Sequence, residues 1–66
     1  MRDAILAAAR AVRRGLDDKS PATVCDLLLA TDAIAFTGYP DEQATLRALP
    51  PARQRATILS ILHEGD

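Results

Sequence analysis

The stretch Ser20-Pro21-Ala22-Thr23-Val24-Cys25-Asp26-Leu27-Leu28-Leu29-Ala30-Thr31-Asp32-Ala33-Ile34-Ala35-Phe36-Thr37-Gly38 decides how this chain is read. Serine before proline is a helix start: the hydroxyl accepts from free backbone N–H groups, and proline at the first helical position gives up a donor that has no partner there. Thr37-Gly38 ends the segment in the manner of a glycine cap. Between these signals Val24, Leu27, Leu28, Thr31, Ile34 and Ala35 form one apolar stripe at helical spacing, and Cys25, Leu29, Ala33 and Phe36 form a second beside it. Only Asp26 and Asp32 are clearly polar. The spacing predicts a helix over 21–36 that is apolar nearly all round, and such a helix is either central in its own domain or half buried against another chain.

The flanking segments obey the same logic. Ile5, Leu6, Ala9, Val12 and Leu16 share one face of a helix over 3–17, with alanines raising its propensity and Gly15 weakening its last turn. Tyr39-Pro40-Asp41-Glu42 opens a helix over 40–49 with proline in its first turn and acids toward its N-terminal dipole, anchored by Leu46 and Leu49. Pro50-Pro51 ends it, because the residue before a proline disfavours helical geometry. A last helix over 51–63 presents Ile58, Leu59, Ile61 and Leu62. The expectation is one all-α domain spanning 1–66, a small four-helix fold with short turns marked by proline and glycine.

A chain of 66 residues buries only about 60% of the surface its unfolded form exposes, so its stability is marginal without help. One cysteine forms no internal disulfide, and Cys25 with His63 does not complete a tetrahedral zinc site. Neither metal nor cofactor is expected. Self-association is the remaining support, which favours a homodimer through the second helix, with the first as a further candidate. No segment approaches the roughly 20 apolar residues of a membrane helix, and the arginines after Ala4 to Ala9 do not fit a signal peptide. A cytoplasmic location is expected. Seven arginines to one lysine, with thirteen alanines, suggest a GC-rich coding sequence of bacterial or phage type.

Charge is uneven although the net value is −1. Both ends are mildly basic, whereas residues 20–46 hold four acids and no base. That asymmetry steers partners or favours antiparallel self-association, within the reach that salt allows. Catalytic signals are thin. Ser60 and His63 stand three apart on one helix, but no orienting carboxylate or oxyanion hole accompanies them. Cys25 lies on an apolar stripe beside Asp26, not in the electropositive setting of a nucleophilic thiol. No enzyme is expected.

Two binding readings remain. Residues 41–63 have the outline of a helix-turn-helix, with Arg53, Gln54, Arg55 and Thr57 where base-reading side chains would sit. Leu49-Pro50-Pro51-Ala52-Arg53-Gln54-Arg55 resembles the helix start in the DNA-reading region of bacterial sigma factors, which would imply a small transcriptional regulator. Gly38 to Ala44, together with Leu46 and Leu49, is similar to the first loop and second helix of ubiquitin-associated domains, whose loop and last helix present an apolar ubiquitin-binding patch. Here Thr37 replaces that family's large apolar residue, and Pro50-Pro51 its polar loop.

The other reading is protein–protein interaction. The excess apolar face of the second helix gives it Cys25 and Leu29, the corner after it gives Phe36 and Tyr39, and the first helix adds Arg10, Arg13 and Arg14. Arginine and aromatic side chains dominate energetic hot spots. The leading expectation is therefore a non-catalytic regulatory or adaptor protein that binds another protein, as a homodimer. A DNA-binding regulator is the alternative.

Overall fold

The computed structural model describes residues 1–65, and their side chains apart from those of Asp32 and Ala33. Five helical segments succeed one another: α1 (Arg2–Arg13), α2 (Pro21–Ala30), the single turn α3 (Asp32–Ala35), α4 (Pro40–Arg47) and α5 (Pro51–Gly65). Among the described residues there is no strand. The protein is a small all-α domain, with its four longer helices in the places the punctuation predicts.

The core is made where α1, α2 and α5 pack against one another, with α3 closing against α1 and α2 and α4 at the periphery. Ala4, Ile5, Ala8 and Ala9 of α1 are buried against Val24, Cys25 and Leu28 of α2 and Ile58 and Leu62 of α5, with Phe36 and Leu46 completing the cluster. Three alanines on one face of α1 let the neighbouring helices approach closely, and larger side chains fill the space from the other two. Full burial of a side chain such as Leu28 or Ile58 contributes about 1.5–3 kcal/mol. Among the described residues no buried side-chain nitrogen or oxygen lacks a partner.

The start of α2 is a chain of hydrogen bonds. Ser20 Oγ accepts from the Thr23 backbone N–H at 3.4 Å and donates to Thr23 Oγ1 at 3.1 Å. Thr23 Oγ1 donates in turn to Asp18 Oδ2 at 2.8 Å, and Asp18 Oδ1 accepts from the Ser20 N–H at 3.0 Å. Asp18 therefore belongs to the cap of α2, and α1 ends at Arg13, short of the expected residue 17.

The expected helix over 21–36 is interrupted. α2 stops at Ala30, and Thr31 leaves helical geometry with φ −122° and ψ 33°. The Thr31 hydroxyl donates back to the Leu27 carbonyl at 2.7 Å, a local bond that competes with the helical ladder and bends it. The break shifts the helical phase of the residues beyond it. Ile34, expected on the main apolar stripe, is 78% exposed, whereas Phe36 is buried. Ala33 and Asp32, read as apolar and polar positions of the same helix, lie outside the described side chains. Gly38 has φ +92°, and this left-handed turn, which glycine adopts without steric penalty, redirects the chain into α4.

Candidate functional site

Two of the residues expected at a partner surface are inside the molecule. Cys25 and Phe36 are 0% and 1% exposed, because α1 and α5 close over α2 and make it the centre of its own domain. In this fold they offer nothing to a partner, and the expectation of a dimer built on them is corrected accordingly. Leu29 and Tyr39 are half-buried and pack against the core cluster. Arg10 and Arg14 are exposed on α1, and Arg13 is half-buried.

Burial pushes the Cys25 thiol pKa up, opposed by the nearby Arg55 cation and reinforced by Asp26. The protonated thiol donates to the Arg55 carbonyl at 3.8 Å. This is the setting of a structural cysteine, since reactive thiols need an electropositive and accessible site.

The residues grouped as base-reading candidates are drawn apart by the fold. Gln54 Nε2 donates to the Leu49 carbonyl at 2.8 Å and to the Arg47 carbonyl at 3.4 Å, satisfying free acceptors at the end of α4. Arg55 forms an ion pair with Asp26 of α2, and that hydrogen bond with its accompanying charge pushes the guanidinium pKa further up. Only Arg53 and Thr57 of the four remain on the outer face of α5, where they line a shallow concavity of ≈ 480 Å³ with Ala56, Ser60 and Ile61. The main packing partners of α5 are α1 and α2.

Ser60 and His63 are both exposed and are not hydrogen-bonded to each other. Among the described residues no group of three or more His, Cys, Asp or Glu side chains is arranged to hold a metal ion. Among the described residues no helix is long and apolar enough to cross a membrane.

Two surfaces stand out on the outside of the core. One is the turn that carries exposed Ile34 and half-buried Tyr39. It is held by Thr37, whose N–H and hydroxyl both donate to the Ile34 carbonyl, at 3.2 and 2.8 Å. The other is the outer face of α5. The sequence concealed the first, because Ile34 fits the helical period until Thr31 breaks it; on α5 it grouped Ile61 with Ile58, Leu59 and Leu62 on one apolar face, whereas Ile61 is half-buried at the edge of the concavity.

Fold and surface together define a class: a small all-α domain built on α1, α2 and α5, with an open helix face and an apolar corner on its surface. No protein-family model, curated protein or solved structure matches the chain, so neither the sigma-factor nor the ubiquitin-associated resemblance is carried by a family match.

Proposed function

We propose that this protein is a small non-catalytic regulator or adaptor that acts by binding another protein, and that it works in the cytoplasm as a homodimer. The observation that carries the reading is Ile34, 78% exposed on the same turn as the half-buried aromatic Tyr39. A lone apolar side chain at a surface is ordinary. One that shares a hydrogen-bonded turn with a partly exposed tyrosine has the makings of an anchor, because aromatic side chains are enriched at interfaces and hot spots.

The competing reading, DNA binding by α5, keeps two of its four side chains, Arg53 and Thr57, while Gln54 and Arg55 are engaged within the chain. An acidic Asp41-Glu42 pair at the start of α4 also stands where phosphates would be repelled. Affinity capture from a lysate, with native chain and the Ile34→Glu variant run in parallel, tests the leading reading. A protein retained by the native chain and lost by the folded variant supports it. Equal retention removes Ile34 from the account, and a salt-sensitive shift of sheared DNA by the native chain would favour the competitor.

A further inference from the structure

We infer that the outer face of α5 is where a second copy of this chain docks, antiparallel, about a two-fold axis level with the midpoint between Ile58 and Leu59. The inference rests on the homodimer reading above and names the face that makes the dimer.

Arg53, Ala56, Thr57, Ser60, Ile61 and Glu64 recur at three- and four-residue intervals and so form one stripe along α5, turned away from the buried Ile58 and Leu62, with half-buried Ile61 at its edge, where it also packs against the core. Among the described residues the lining of the concavity in this stripe comes wholly from α5. At 1.5 Å per residue the stripe is roughly 16 Å long. Its centre is small, its ends carry opposite charge, and Arg53 and Glu64 have no ion-pair partner among the described residues.

That arrangement is complementary to itself. Turned end for end about the stated level, Arg53 of one copy lies opposite Glu64 of the other, and this occurs twice by symmetry. Thr57 lies opposite Ser60, so hydroxyls meet where the helices are nearest. Ile61 of each copy falls along one flank, against Thr57 of the other, while Ala56 on the opposite flank is small enough to let the backbones approach to the 8–10 Å of packed helices. A parallel pairing would instead set Arg53 against Arg53 and Glu64 against Glu64. An interface of this length is small, so the dimer is concentration-dependent. It covers Arg53 and Thr57, which sets it against the DNA-binding alternative.

Sedimentation equilibrium of the full chain tests this directly, with Arg53→Glu and Glu64→Arg measured alone and mixed. Both substitutions suit the helix dipole, an acid near the N-terminus and a base near the C-terminus, so helicity by circular dichroism is expected to be retained. Each variant alone carries like charges at both ends of the face, and its self-association is expected to weaken about tenfold. Mixed, the two restore both attractive pairs, and heterodimers at native strength or better are the expected result. Variants that dimerise like the native chain would overturn the α5 interface while leaving a homodimer through another face. A native chain that stays monomeric up to roughly 1 mM would overturn both. Should either variant lose helicity, Ser60→Arg places bulk and charge at the centre of the face: monomers support the interface, and native-like dimers contradict it.

Discussion

Gln54 Nε2 donates to the Leu49 carbonyl at 2.8 Å, so a side chain from the first turn of α5 closes the end of α4 across the Pro50-Pro51 junction. Proline-rich connections leave carbonyls without local donors, because Pro50 and Pro51 have no N–H to offer. Gln54 supplies the missing donor. Replacing it with leucine keeps most of the volume and removes the donor. The expected cost is about 1 kcal/mol in urea unfolding. An unchanged midpoint would show that water satisfies these carbonyls equally well.

The cap of α2 gives the protein a particular response to acid. Asp18 accepts from the Ser20 N–H and from the Thr23 hydroxyl, in that order of effect, and these bonds hold its carboxyl below the ordinary aspartate value. A carboxylate with a depressed folded-state pKa contributes stability that is fully present above its unfolded pKa, about 3.9, and is lost as pH falls through the lower folded value. Asp18→Asn is therefore expected to be less stable than the native chain at neutral pH, with the gap closing in acid below that range. A gap that does not change with pH would remove the charge of Asp18 from the explanation.

Ser20→Ala removes the hydroxyl that accepts from Thr23 and is expected to cost about 1 kcal/mol, read as a lower thermal midpoint and as faster exchange of the first amides of α2. Exchange unchanged at Thr23 would contradict the assigned cap.

Cys25 should behave as a core residue. It is fully buried, its thiol pKa is raised, and it donates to the Arg55 carbonyl. Labelling by a thiol reagent at mildly alkaline pH is expected to be slow in the native protein and to become fast once denaturant exposes the site. Rapid labelling without denaturant would mean that α5 does not cover α2 as described.

Ile34 and Leu28 offer a contrast within one stretch of sequence. Leu28→Ala opens a cavity in the cluster that holds Ile5 and Ile58 and is expected to cost about 2–5 kcal/mol, enough to unfold a domain of this size. Ile34→Glu changes an exposed position, and a stability change within about 0.5 kcal/mol is expected. A large loss at Ile34 would place it in the core, as its helical spacing alone suggests.

That contrast also marks how far the sequence can be read. Ser20-Pro21, Gly38 and Pro50-Pro51 set the boundaries of the longer helices because each acts through its own backbone geometry, without reference to anything distant. The inward faces of α1 and α5 were legible for the same reason, in the spacing of Ile5 and Ala9 and of Ile58 and Leu62. The break at Thr31 was not, because the apolar period continues through it and only the folded backbone at Thr31, with its hydroxyl bond to Leu27, shows where the helix ends. Nor was the fate of the three residues after Ala52. Arg53, Gln54 and Arg55 read as one polar group, but the fold sends one to the open face, one to Leu49 and one to Asp26, which lies 29 residues away along the chain. Contacts of that range depend on how α2 and α5 pack, which no local spacing encodes.

The measurement closest to the central claim is light scattering of the native chain on a sizing column over a range of concentrations, with and without sheared DNA at low salt. The account predicts a mass that rises from monomer toward dimer with concentration and that DNA leaves unchanged. A chain that remains monomeric and co-elutes with DNA would contradict it.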